Sequence, residues 1–328
     1  TIPKGVLTEL DQYKEVRLTL NTGSATVSLD EKTLGLLNME NGDITVSVDK
    51  VDAGTLSGES KQKIGDRPVY DLKINSGDKT ITKFDGGSVN VSIPYTLKPN
   101  ENKNAIVIYY IADDGSLQVV NNGRYNAVTK TVDFSVKHFS SYAVGYNYVA
   151  FNDLTSDWYK DAVTFIAARG ITVGTGNGNF SPEQVLTRSE FLVMMMRAYG
   201  IEPDATIQDN FADAGNAYYA PYLAAAKRLG IASGGGNNMF LPDTAITRQE
   251  MFKFLYNILE YLNQLPEAKE GLTIKSFTDV NEVSDWALPA LKCMVEGGIT
   301  NGTGNNKLSP RANAHRATLA QIIYTLFK

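Results

Sequence analysis

Residues 186–190 read LTRSE, and the stretch returns as ITRQE at 246–250 and, altered, as AHRAT at 314–318. Each copy stands at the same distance behind a Gly-Ile pair (Gly170-Ile171, Gly230-Ile231, Gly298-Ile299) and opens a run of apolar residues. A spacing kept over three copies marks a repeated supersecondary unit, and a repeat decides the fold before any single motif does. Around this centre the copies share an F-x-D lead-in (Phe151 to Asp153, Phe211 to Asp213, Phe277 to Asp279) and an aromatic at the start of a first helix (Trp158, Tyr218, Trp286). A glycine turn follows, GTGNGNF from Gly174, GGGNNMF from Gly234 and GTGNNKL from Gly302, and then a proline (Pro182, Pro242, Pro310). Each unit therefore reads helix, glycine loop, helix. Apolar spacing predicts helices at 158–169, 187–199, 218–229, 247–262, 286–296 and 316–327. Residues 263–273 (NQLPEAKEGLT) break the pattern and read as a longer surface connection.

Up to about residue 148 the texture differs. Residues 16–20 (VRLTL), 25–29 (ATVSL), 44–48 (ITVSV) and 89–93 (VNVSI) alternate apolar with polar, as half-buried strands do. Residues 69–74, 106–111, 117–120, 131–136 and 142–146 read as further strands, separated by turn residues. Residues 31–39 (EKTLGLLNM) suit either a short helix or another strand. The expected architecture is multi-domain, an all-β, sandwich-like module at 1–148 followed by all-α repeats at 149–202, 203–264 and 265–328.

Over 328 residues, 43% apolar and 20% charged content is that of a soluble chain with sizeable cores. A net charge of −5 leaves no general basic surface and argues against nucleic acid, so an anionic ligand would need locally placed arginines. No apolar run reaches the ~20 residues of a membrane span, and membrane insertion is not expected. The single cysteine, Cys293, excludes internal disulfides and falls at an apolar helix position, where a buried small hydrophobe is expected rather than a reactive thiol. With so few His and Cys residues neither a metal site nor a cofactor is expected. Thr1 is neither an initiator methionine nor the start of a signal peptide, so the chain reads as the processed C-terminal part of something larger.

Much of the repeat is explained by folding. Gly170, Gly230 and Gly298 fit the residue after a helix end, where left-handed backbone is cheapest without a Cβ. Thr187 with Glu190, and Thr247 with Glu250, form capping boxes that supply acceptors to orphan amides. Arg188, Arg248 and Arg316 are harder to place. The first position of a helix has no need of a long cation, and the dipole there disfavours one. Yet the third copy keeps Arg316 where His315 and Thr318 have replaced both capping residues. One reading is a surface ion pair. The sharper one is an anion site, in which each guanidinium sits beside free helix-end amides and grips a carboxylate through two parallel hydrogen bonds. Trp158, Tyr218 and Trp286 could cover the C–H face of a sugar or belong to the core, and bare glycine backbone lets hydroxyls approach. The combination suits an acidic saccharide.

At these residues the chain resembles the S-layer homology domain, three copies of which anchor surface proteins to the cell walls of many bacteria. F-x-D, the tryptophan, GIT-x-G-x-G, Phe-Ser-Pro and Thr-Arg-x-Glu arrive in that order from Phe151 onward. The resemblance implies a pseudo-threefold spindle with grooves between neighbouring units. Those grooves bind secondary cell-wall polysaccharide, commonly through a terminal pyruvylated N-acetylmannosamine whose ketal carboxylate meets the motif arginine. Carried over, Arg188, Arg248 and Arg316 become ligand arginines, Asp153, Asp213 and Asp279 groove acids, and Gly174, Gly234 and Gly302 loop contacts. It also implies a secreted, wall-bound protein with an acidic polysaccharide as partner, and self-association in a surface layer as a further one. The altered third motif, together with Tyr218 and the GGG loop of the second, implies unequal grooves, although several weak sites on one polymer still hold firmly. The β part resembles a module that often precedes such repeats, through 67–72 (RPVYDL), 91–97 (VSIPYTL), 109–115 (YYIADDG) and 138–144 (HFSSYAV), and brings no chemistry with it.

His138-Phe139-Ser140 resembles the site of self-cleaving GAIN-like domains, where the serine attacks the peptide bond before it with His as base, here between Phe139 and Ser140. The plainer reading is a strand with Phe139 buried and His138 exposed. The Gly-Asn loops lack the spaced carboxylates of a calcium site. The repeated acids come one per unit rather than as the pair a glycosidase needs. GTGNGN follows a helix and lacks the lysine of a phosphate loop. The expectation is a protein that binds and does not catalyse.

Overall fold

Alternating residues form strands at the amino-terminal end, and their pairing is wholly antiparallel. The computed structural model describes residues 1–56 and 58–327, divided between two units, Thr1–Val149 and Ala150–Lys328. In the first unit, β1 (Leu18–Asn21), β2 (Thr26–Leu29), β6 (Val89–Pro94), β10 (Thr131–Val136) and β9 (Arg124–Asn126) make one sheet in that order. A second sheet runs β3 (Ile44–Val51), β4 (Val69–Ser76), β11 (Ser141–Tyr146), β7 (Ile106–Ile111) and β8 (Leu117–Val120), with β5 (Lys79–Thr80) paired to β4. Side chains of both sheets, among them Val27, Val91 and Val132 of the first and Leu72, Ile108 and Val144 of the second, form one buried cluster.

Two features depart from the sequence expectation. β5 and β9 are too short to show alternation, and three helices belong to this unit, so it is sheet-rich rather than all-β: α1 (Lys4–Leu10), α2 (Glu31–Asn38) and α3 (Gly58–Ile64). The ambiguous stretch at 31–39 is α2, started by Asp30, whose carboxylate accepts the Thr33 amide. α3 packs against β11. β7 (IVIYYI) is buried almost throughout and so carries no alternation. The RPVYDL and VSIPYTL stretches meet in a buried network, with Arg67 Nε and Nη2 donating to Glu101 (3.0 and 2.6 Å) and the Tyr95 hydroxyl donating to the same carboxylate. Burial works against the charge on Glu101, but the Lys98 amide, Arg67 and Tyr95 hold its carboxyl below the usual range, and burial pushes Tyr95 up to about 12.

The second unit carries α4 (Asp157–Ala168), α5 (Arg188–Ala198), α6 (Ala220–Arg228), α7 (Arg248–Tyr261), α8 (Leu288–Glu296) and α9 (Arg316–Leu326) around a single core. Among the described residues its β structure is confined to isolated bridges. Those bridges close a ring. The Leu186 amide donates to the Ala314 carbonyl, Ala314 to Ile246, and Ile246 back to Leu186, at 2.9 to 3.0 Å. Gly170, Gly230 and Gly298 follow the first helices with φ of +66°, +71° and +75°, as their place after a helix end requires. Cys293 is only half-buried, at the edge of the core.

Candidate functional site

The three F-x-D aspartates each fasten their own glycine loop. Asp153 accepts the amides of Phe180 and Ser181 (2.9 and 2.7 Å), Asp213 those of Phe240 and Leu241 (2.8 and 2.7 Å), and Asp279 those of Leu308 and Ser309 (both 2.8 Å). Ser181, Leu241 and Ser309 are held at φ of 58°, 60° and 50°, a conformation that costs a side-chain-bearing residue energy, so the acids lock a strained turn. Burial opposes charge on Asp279, but its two amide bonds keep the carboxyl below the usual range. Gly174, Gly234 and Gly302 are required by the same turn. A Cβ there would stand 2.3 to 2.5 Å from the carbonyl of Asn179, Met239 or Lys307 and close to the ring of Phe151, Phe211 or Phe277. The open approach lies two residues further on, at Gly176, Gly236 and Gly304, where an added Cβ would meet nothing. Sequence reading passed over these three.

The arginines are buried, not exposed, and each reaches into the next repeat. Arg188 Nε donates to the Phe240 carbonyl (2.8 Å), Arg248 Nε to Leu308 (2.9 Å) and Arg316 Nε to Phe180 (2.8 Å). Their main-chain amides donate to Thr244, Ala312 and Gln184, and the amides after them to Pro242, Pro310 and Pro182. The helix-end amides expected to be free for an anion are thus taken by the neighbouring repeat, and folding accounts for the arginine after all. The capping glutamates have a second task as well. Glu190 and Glu250 each accept the amide of their own Thr187 or Thr247 through Oε2 (2.9 Å), while Oε1 faces an arginine of another repeat: Glu250 and Arg188 Nη1 are 2.6 Å apart, Glu190 and Arg316 Nη1 3.7 Å. At His315 the cap is gone, and the ring Nδ1 donates to the Glu183 carbonyl instead (2.7 Å).

Beside the joint at Arg188 runs a groove of about 410 Å³, lined by Arg188 of the first repeat, the Gly234 loop with Glu250 and Lys253 of the second, and Trp286 of the third. The arginine, the bare loop and the aromatic of one groove therefore come from three different repeats, not from one. Trp158, Tyr218 and Trp286 are 52%, 60% and 50% exposed, which sets aside a core role for the tryptophans. Burial raises the hydroxyl pKa of Tyr218, with Glu190 acting in the same direction and Arg197 and Arg316 against it. A depression of similar size in the amino-terminal unit, lined by Lys50, Lys61 and Arg67, contains no repeated residue.

No His–Ser hydrogen bond forms at the His-Phe-Ser stretch. His138 Nδ1 faces the Tyr142 hydroxyl at 3.3 Å, its ring packs edge-on against Tyr110, and Phe139 is buried. Among the described residues no cluster of His, Cys, Asp and Glu could hold a metal, and no helix is long and apolar enough to cross a membrane.

The sequence model of the family described as S-layer homology domain matches residues 150–192, 210–252 and 276–320. Over 263 residues the chain is 34% identical to an amylopullulanase of Thermoanaerobacterium thermosulfurigenes, covering 79% of this chain and 14% of that protein. Such a match is too long to be confined to the helical repeats. Over 181 residues it is 35% identical to exoglucanase XynX of Acetivibrio thermocellus, covering 55% of the chain and 16% of the enzyme. Over 178 residues it is 30% identical to an S-layer protein of Bacillus thuringiensis subsp. finitimus, covering 53% and 21%. The chain thus spans 14 to 21% of the length of these relatives. The three helical repeats of Ala150–Lys328 are S-layer homology domains, and the chain belongs with the secreted cell-surface proteins that carry them.

Proposed function

We propose that the helical unit is a pseudo-threefold spindle that anchors a surface protein by binding an acidic secondary cell-wall polysaccharide in the grooves between repeats. The observation that carries this reading is the groove at Arg188, where a guanidinium, a side-chain-free loop and a half-exposed indole converge from three repeats. That is the set of groups a negatively charged sugar asks for: a cation for its carboxylate, main-chain polar groups for its hydroxyls, a flat ring for its C–H face. A pyruvylated N-acetylmannosamine end fits this description. The loop-fastening aspartates and the Gly174, Gly234 and Gly302 positions support the site by shaping the loop, and in this reading they do not touch the sugar. Three modest sites on one polymer hold firmly because the second and third engagements are intramolecular.

Anchoring requires no catalysis, and the enzymatic activities named for the amylopullulanase and the exoglucanase are read as belonging to the parts of those proteins outside the shared stretch. The sandwich-like amino-terminal unit is read as a spacer, whose edge strands β1, β8 and β9 are candidates for contacts in a surface layer. Equilibrium binding of the chain to purified wall polysaccharide, before and after removal of its pyruvate groups, tests the main point. Loss of affinity with the pyruvate is expected, and unchanged binding would overturn the carboxylate account.

A further inference from the structure

The joint between the second and third repeats lacks two parts that complete the other two. Arg188 has Glu250 at 2.6 Å and the Phe240 ring 5.0 Å away; Arg316 has Glu190 at 3.7 Å, the Phe180 ring at 4.9 Å and the Thr172 hydroxyl at 3.2 Å. By the same cyclic relation the positions that correspond for Arg248 are 318 and 308, which hold Thr318 and Leu308. Among the described residues the Arg248 guanidinium stands 5.6 Å from the Phe252 ring and donates one hydrogen bond, from Nε to the Leu308 carbonyl, and its Nη2 is buried with no partner. The residue is 6% exposed. Burial works against its charge, and the acid that opposes this, Asp279, already has an oxygen committed to each of two amides.

A buried cation without a counter-ion costs far more than the same cation in a pair, and an arriving carboxylate recovers that difference. In the other two joints an incoming carboxylate has to displace a glutamate that the fold already supplies. Resting on the reading of these grooves as acidic-glycan sites, we propose that Arg248 is the receptor for the ligand carboxylate and that Thr318 is the residue that leaves it open. Glu250 and Glu190 act as built-in competitors in the other two grooves, so the substitution in the third motif creates the principal site instead of ruining one. Further cations do stand on α7 and α5. However, Lys253 lies over the Tyr256 ring and Arg197 donates to the Tyr222 hydroxyl, and a lysine presents no planar fork. At the position matching Lys253, α9 carries Gln321.

Calorimetric titration of the whole chain with N-acetylmannosamine bearing a pyruvate ketal, and with the same sugar lacking it, tests the assignment. One dominant site is expected, weakened about tenfold or more by Thr318→Glu, whose carboxylate would pair with Arg248. Thr318→Gln, which adds the same bulk without the charge, should leave most of the affinity. Glu250→Gln, which keeps a cap acceptor and removes the competing charge, should strengthen a second site. Thr318→Glu should also raise the melting temperature, a sign that the new pair has formed. If that rise occurs while affinity stays unchanged, or if Arg188→Ala abolishes binding and Arg248→Ala does not, the assignment is overturned and the glycan reading stands. If the ketal makes no difference to the unaltered chain, the glycan-carboxylate reading falls and takes the assignment with it.

Discussion

Replacing Asp279 by alanine removes the acceptor of two main-chain amides at once. The Leu308 amide is buried and would be left without a partner, while the Ser309 amide lies in a half-exposed turn where water can relieve it. An unsatisfied buried donor costs about 1–3 kcal/mol and a lost bond to a charged acceptor about 1.5–3 kcal/mol, so a loss of about 2–5 kcal/mol is expected. For a unit of this size each kcal/mol is worth about 2–4 °C, which predicts a melting temperature lower by about 5–15 °C. The left-handed Ser309, at φ 50°, adds to the effect, although the Thr303 hydroxyl and the Ala312 amide still bond to it. Calorimetric or circular-dichroism melting of the variant provides the measurement, with sugar affinity read well below the transition. The sign with pH follows from the depressed pKa. Asp279 contributes stability above its unfolded pKa near 4, and the contribution fades as pH falls from there through the folded value. The alanine variant should therefore lose less stability on acidification than the unaltered chain. An unchanged melting temperature combined with lost sugar binding would refute the loop-fastening role and make Asp279 a ligand acid.

The remaining expectations concern other links. Trp286→Ala should change the melting temperature by no more than about 1–2 °C, because the ring is half exposed, yet weaken polysaccharide binding; equal binding would remove the indole from the site. In the amino-terminal unit, Glu101→Gln strips the half-buried Arg67 of its counter-ion and should destabilise that unit by about 1.5–3 kcal/mol, read as an earlier denaturant midpoint. A variant as stable as the parent would mean that the pair is idle.

What a candidate residue does within its own repeat was legible; its relations to the other repeats were not. Capping boxes at Thr187 and Thr247 and the glycines after the first helices could be read because each rule joins residues within one turn. Glu190 and Glu250 were read as caps alone, although one oxygen of each faces another repeat. The arginine seemed to lack a structural reason because its acceptor lies far along the chain. Arg188 bonds a carbonyl 52 residues on, Arg248 one 60 residues on, and Arg316 one 136 residues back. No periodicity reports such a distance.

By itself the sequence determined the three units, their helices, the loops that punctuate them and most strands of the first unit, since these follow from spacing, turn chemistry and alternation. The short helices α1 and α3 escaped it because few of their residues are buried. Only the tertiary structure decided that the motif arginines are buried joints between repeats, that the groove at Arg188 draws on three repeats, and that Arg248, unlike Arg188 and Arg316, is without a glutamate partner among the described residues. The physical reason is that a charge is satisfied by what surrounds it in space, and ring closure brings each arginine a neighbour that its own repeat does not contain.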